Sequence, residues 1–264
     1  ANKADIYKVA SEIPPLAKML IAKYWPGPLP IVLKKSSAIP KEVTAGLATV
    51  AVRMPSNKIA LELIKLSNTP VAAPSANKSG KPSATSAQHV LDDMNGKIDA
   101  VIDSGETDIG LESTVIDMTQ KIPLLLRPGK ISLEELRKLL GKVNVHASVR
   151  KKTKSLARSP GMKYRHYSPE TELILVEKGN THALIEKYAK QKKTVALITM
   201  KEKHCDNAHV IIYFKSIESF AKHLFATLRD VDKKADVIIV EGISDNDLGL
   251  AVRNRRRNAA STII

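Results

Sequence analysis

The chain has 264 residues, 43% hydrophobic and only 4% aromatic, enough for one large or two ordinary domains with cores of Leu, Ile, Val and Ala. No apolar run approaches the ~18 residues a membrane span needs, no signal-peptide pattern opens the sequence, and the single cysteine, Cys205, excludes an internal disulfide and fits a reducing, cytoplasmic compartment. The net charge of +15 is densest over residues 143–170, with seven basic side chains and one acidic, which points to an acidic ligand or nucleic acid or, more plainly, to a solvated linker.

Residues 14–24 read as a helix: two prolines open it, Leu16, Met19, Leu20 and Tyr24 recur at helical spacing, and Trp25-Pro-Gly-Pro28 stops it. A short strand over 30–35 follows. Residues 49–54 alternate, with Val50, Val52 and Met54 on one face and Thr49, Ala51 and Arg53 on the other. An arginine there is either part of a structural ion pair or solvated face, or a fork for a carboxylate or phosphate. Residues 59–66 form an amphipathic helix.

The stretch 70–83 is the most distinctive. Val71, Ala72 and Ala73 read as a buried strand, and the small, hydroxyl-bearing, Lys- and Pro-containing residues after it read as a loop. Such a loop is either a polar surface turn or a cradle for an anion, with Ser75, Ser79 and Ser83 as donors. A helix over 85–94 is expected to take its N-cap from Ser83 or Thr85. Residues 100–103 read as a strand, 113–118 as a second alternating segment, and 123–127 as a strand that runs into Arg127-Pro-Gly129. Ser132 and Glu135 form a capping box that opens a helix ended by Gly141.

Residues 147–170 lack a sustained apolar period and read as a linker. Tyr164, His166 and Tyr167 stand there among basic residues, a mix suited either to a tether on a domain surface or to stacking on a base and pairing with phosphate. Strands over 173–176, 195–198, 210–213 and 237–240 alternate with helices over 181–190 and 217–229, which predicts a small parallel sheet flanked by helices. Residues 248–260 look helical, with Arg253, Arg255, Arg256 and Arg257 expected on a solvated face. His204, Cys205 and His209 match no zinc spacing and are taken as a polar loop, so no protein metal site is expected.

Five motifs in order resemble the threonylcarbamoyl-AMP synthase family, the YrdC-like enzymes: Tyr24-Trp-Pro-Gly-Pro-Leu29, Thr49-Val-Ala-Val-Arg-Met-Pro55, Ala73-Pro-Ser-Ala-Asn-Lys-Ser-Gly80, Gly110-Leu-Glu-Ser-Thr-Val115 and Leu126-Arg-Pro-Gly129. The segment Ser159-Pro-Gly-Met-Lys-Tyr-Arg-His-Tyr-Ser-Pro169 resembles the family's long form. The resemblance implies an α/β fold with a YrdC-like open twisted sheet domain (1–142), a basic linker or lid (143–170) and a smaller Rossmann-like parallel α/β domain (171–264). In the family, an earlier segment carries a Tyr-Gly-Leu and a Lys-x-Arg motif that this sequence lacks, and a threonine is usual where Pro30 stands.

The implied reaction makes threonylcarbamoyl-adenylate and pyrophosphate from L-threonine, bicarbonate and ATP, with Mg²⁺ on the phosphates and no covalent protein nucleophile. Downstream, a tRNA threonylcarbamoyl-transfer complex uses the product, and a weak tRNA contact of the chain itself is compatible with its charge. By position, the resemblance assigns Arg53, Ala73 and Ser113 to threonine, and Thr49, Ser75, Ser83, Arg127, His166, Tyr167 and Tyr164 to ATP. The competing readings are a basic RNA-binding YrdC-like module without catalysis and a catalytically silent scaffold.

Overall fold

The structure is a computed structural model and describes residues 1–150, 167–202, 205–244 and 247–264. By contact the chain forms two compact units, each assembled from two separated stretches. One takes Ala1–Pro74 and the described residues from Glu112 to 150; the other takes Ser75–Leu111 and the described residues from 167 onward.

The first unit opens with a short helix α1 (Ile6–Val9) and α2 (Pro15–Tyr24), whose Ala17, Leu20 and Ile21 are buried. Next come β1 (Ile31–Lys34), β2 (Thr49–Val52) and α3 (Lys58–Ser67). The second unit contributes α4 (Ala87–Met94). The chain then returns to the first unit for β3 (Val115–Asp117), β4 (Leu124–Arg127), α5 (Leu133–Leu140), β5 (Asn144–Val145) and α6 (Ala147–Arg150). The strands form one mixed sheet in the order β2-β1-β3-β4-β5. Its core joins Leu20, Trp25, Leu29, Ile31, Leu33, Ile116, Leu125 and Leu136. Both halves of the capping box expected at Ser132 and Glu135 are made, at 3.1 and 3.0 Å, and Gly141 follows the helix.

The second unit continues with β6 (Glu172–Val176), α7 (Thr181–Lys190), β7 (Val195–Thr199), β8 (Val210–Tyr213), α8 (Ile217–Val231), β9 (Val237–Glu241), α9 (Leu248–Ala259) and β10 (Thr262–Ile263). All pairings are parallel, in the order β10-β6-β9-β7-β8. Apolar clusters cover both faces, one built on Phe220, Leu224, Phe225, Leu228 and Val252 and the other on Ile185. Continuous apolar runs at β7 and β9 are what a sheet buried on both faces requires.

Four local expectations are corrected. Residues 71–73 and 100–103 are not strands; Val71 and Ile102 are exposed, and no described strand takes their backbone groups. An apolar run becomes a strand only where a neighbour satisfies its N–H and C=O groups. The α4 N-cap is Ser86, whose hydroxyl accepts from the His89 amide, and not Ser83 or Thr85. The α9 arginines are not a solvated face. Arg255 and Arg256 are 0% and 1% exposed, Arg255 lies over the Tyr167 ring and Arg256 over Phe220. Burial pulls the Arg256 pKa down to about 9. Arg253 and Arg257 both grip Glu177, with Nε–Oε1 distances of 2.9 and 2.6 Å.

Hydrogen bonding to Arg257 is the largest influence on the Glu177 carboxyl, ahead of the opposing effect of burial, and with Arg253 it lowers the pKa to about 2. A depressed carboxylate pKa stabilises the fold above its unfolded value and stops doing so as pH falls through the folded value. Glu177→Gln is therefore expected to cost on the order of 2 kcal/mol at pH 7 and nearly nothing at pH 2. Denaturant unfolding of both proteins across pH 2–7 checks this, and parallel stability curves would contradict it.

Candidate active site

Pairing register brings three motif residues to one end of the first sheet. Ile31 at the start of β1 lies opposite Val52 at the end of antiparallel β2, and opposite Ile116 of parallel β3. Val115 lies opposite Arg127 at the end of β4. Arg53, just beyond β2, Ser113, just before β3, and Arg127 therefore meet at the same edge.

The bonds there are specific. Arg53 Nη1 donates to Ser113 Oγ at 2.8 Å, and Arg127 Nε donates to the Ser113 carbonyl at 3.0 Å. Ser113 is 8% exposed and is thus held through both side chain and main chain. Arg53 retains exposed surface, yet crowding by protein atoms desolvates its guanidinium and lowers its pKa. Two cations this close favour an anionic group between or beside them, and a planar guanidinium binds a carboxylate through two parallel N–H bonds.

The other motifs brace this edge. The Gly27 amide donates to the Met54 carbonyl at 2.9 Å, next to Arg53, and Trp25 Nε1 donates to the Leu29 carbonyl at 2.7 Å. Gly129 lies so close to the Glu112–Thr114 backbone that a Cβ there would sit 2.3 Å from the Thr114 nitrogen. Thr114 Oγ1 donates to the Ile131 carbonyl at 2.8 Å and accepts from the Ile131 amide at 3.1 Å, in buried surroundings. The chain on both sides of Ser113 is thereby fixed.

The remaining sequence-predicted residues are placed as follows. Thr49 is half-buried on β2, opposite Lys34. Ala73 is exposed and belongs to the first unit. Ser75 is exposed and Ser83 half-buried, and both belong to the second unit. Tyr167 is buried there and stacks on Phe225 at 5.1 Å. Tyr164 and His166 lie outside the described residues. A cavity of about 220 Å³ in the second unit, lined by Thr85, Ser86, His89, Lys222, His223 and Asp230 among others, includes none of these residues. Sequence reasoning also missed Asp93 and Arg229, which pair at 2.6 Å; they are separated by 136 residues and carry no local signal.

Two family models divide the chain between them. One described as "Telomere recombination", covering Sua5, YciO and YrdC proteins, matches residues 1–129, and one described as "Threonylcarbamoyl-AMP synthase, C-terminal domain" matches residues 131–261. The chain is 49% identical to a threonylcarbamoyl-AMP synthase of Pyrococcus abyssi, over 98% of its own length and 78% of that protein. It is 40% identical to one of Bacillus subtilis, over 98% and 77%. A crystal structure of P. abyssi Sua5 complexed with L-threonine superposes with a TM-score of 0.93 at 46% identity, covering all of this chain and 79% of that one. With motifs, fold and relatives matched along nearly all of this chain in agreement, the chain belongs to the threonylcarbamoyl-AMP synthase family.

Proposed function

We propose that this chain forms threonylcarbamoyl-AMP and pyrophosphate from L-threonine, bicarbonate and ATP, for the modification of tRNA. The observation that carries the reading is the Arg53–Ser113–Arg127 cluster at the edge of the first sheet, in a chain with a close structural relative solved with L-threonine. Arg53 takes the threonine carboxylate through its fork, Ser113 supplies a hydroxyl beside it, and the Ala73 backbone contributes a further contact. Thr49, Arg127, Ser75 and Ser83 serve the nucleotide, together with Tyr164, His166 and Tyr167.

Bicarbonate first condenses with the threonine amine, releasing water and leaving an N-carboxylate. An oxygen of that carboxylate forms a bond to the α-phosphorus of ATP while the bond to the β-phosphate bridge breaks, and the electron pair leaves with pyrophosphate. No protein nucleophile enters this sequence. The protein's contribution is alignment and positive charge placed where negative charge develops. Among the described residues no three His, Cys, Asp or Glu side chains group as metal ligands, and the cluster itself is cationic. In this reading Mg²⁺ comes with ATP, on its phosphates. The reading places the enzyme in the cytoplasm with a tRNA threonylcarbamoyl-transfer complex as consumer of its product; among the described residues no helix is long and apolar enough to cross a membrane.

Pyrophosphate release should require threonine, bicarbonate and ATP together. Release independent of threonine would overturn the reading. The net charge of +15 favours, as a second reading, an RNA-binding module. That reading expects tRNA binding that weakens steeply with salt and is indifferent to threonine.

A further inference from the structure

The loop that carries Ser75 and Ser83 is held from outside by groups with no role in the reaction above. Arg229 on α8 donates from Nε and Nη2 to the Pro82 carbonyl at 3.1 and 2.6 Å, and Nη2 also reaches Asp93 Oδ2 on α4 at 2.6 Å. The same Asp93 oxygen accepts from the Lys78 amide at 3.2 Å. The two side chains are 12% and 4% exposed. Burial pushes the Asp93 carboxyl up, but the bonds from Arg229 and the Lys78 amide outweigh it and the net shift is downward. The Asp93 carboxyl therefore remains ionised against Arg229 throughout the neutral range.

A second grip acts on the middle of the loop. The Ser168 amide donates to the Gly80 carbonyl at 2.8 Å, and Lys81 Nζ pairs with Glu170 at 3.0 Å, which also holds Lys233 at 3.2 Å. Inside the loop, Asn77 Nδ2 bridges the Lys78 and Lys81 carbonyls at 2.8 and 3.3 Å. The Lys78 amide and the Gly80 and Pro82 carbonyls are thus fixed by residues of α4, α8 and the segment 168–170. A Ser-, Gly- and Pro-containing loop otherwise samples many backbone states, and ordering it when ligand arrives subtracts from binding.

We infer that Arg229, acting through Pro82 and Asp93, is a positioning residue for nucleotide binding, which presets the loop whose Ser75 and Ser83 take ATP. The inference rests on the functional reading above. It gives Arg229 of α8 a share in substrate affinity without itself touching substrate.

Steady-state kinetics of the full chain, varying ATP and threonine separately, test it. Arg229→Ala is expected to raise KM for ATP about tenfold, with kcat within about twofold and KM for threonine unchanged, because uniform binding is lost and not transition-state binding. Arg229→Lys keeps the charge on Asp93 but not the fork on Pro82, and should recover about half of the loss on a logarithmic scale. A purely structural role would instead lower kcat through the active fraction and leave both KM values alone. If Arg229→Ala does not fold, Arg229→Lys and the exposed Glu170→Gln decide, each with an expected rise of about twofold to threefold in KM for ATP at unchanged Tm. Unaltered KM for ATP in every folded variant overturns the inference while leaving the functional reading intact. A wild-type chain without threonine-dependent pyrophosphate release overturns both.

Discussion

Arg53→Ala is expected to lower kcat/KM for threonine about 100-fold, equivalent to about 2.7 kcal/mol of lost transition-state stabilisation. The side chain stands at the end of β2 with one N–H group spent on Ser113 Oγ at 2.8 Å. Its removal deletes the guanidinium that the proposed reading sets against the threonine carboxylate and also releases the Ser113 hydroxyl from Arg53. Arg53→Lys should restore little, since a single ammonium cannot reproduce two parallel N–H bonds while also holding Ser113. The loss should be concentrated in the threonine terms, and ATP binding measured by calorimetry without threonine should change less than threefold or so. Equal loss of affinity for both substrates would place Arg53 on the nucleotide instead.

Gly129→Ala is expected to destabilise the first unit by about 3 kcal/mol, at the upper end of the range for overpacking a rigid site. The added carbon would lie 2.3 Å from the Thr114 nitrogen, 2.6 Å from the Ser113 carbon and 2.8 Å from the Glu112 oxygen. All three are backbone atoms, so no side chain can swing aside. The backbone after β4 must back away from the segment before β3, and the Arg127–Ser113 bond lies across that gap. For a chain of this size the Tm should fall by roughly 6–12 °C. Gly46→Ala is the control: its φ is +79° but nothing lies within 4 Å of the added carbon, so only the backbone term of about 1 kcal/mol applies. Equal losses for the two variants would show that the close approach at Gly129 is not the constraint described.

The second sheet was legible because its central strands are uninterrupted runs such as Val195–Thr199 and Val237–Glu241, buried on both faces. The helix at Leu133–Leu140 was legible from its capping box. The α9 arginines were misjudged by counting charge before period. Buried Ala251, Val252, Arg255, Arg256 and Ala259 follow one helical stripe, so two arginines were committed to the interior by spacing alone. Residues 71–73 and 100–103 failed for the opposite reason, since an apolar run reports what a strand needs but not whether a partner exists. At the candidate site, ordered motifs single out Arg53, Ser113 and Arg127, while their convergence depends on strand register, which sequence alone does not display. Ser86 was passed over as the α4 cap because several neighbouring hydroxyl residues satisfy the same rule.

The two-stretch make-up of each compact unit sets the order of synthesis against the order of packing. Ser75–Leu111 leaves the ribosome before the first sheet is complete, yet the helix that grips Pro82 through Arg229 follows 147 residues later. Closing so long a loop costs entropy that grows only with the logarithm of its length, so the finished fold tolerates the arrangement. The nascent chain bears the burden, because this segment must wait, unsupported, for a partner made 147 residues later. High contact order slows folding, and the waiting segment extends the time during which apolar surface is open to chaperones and to other chains.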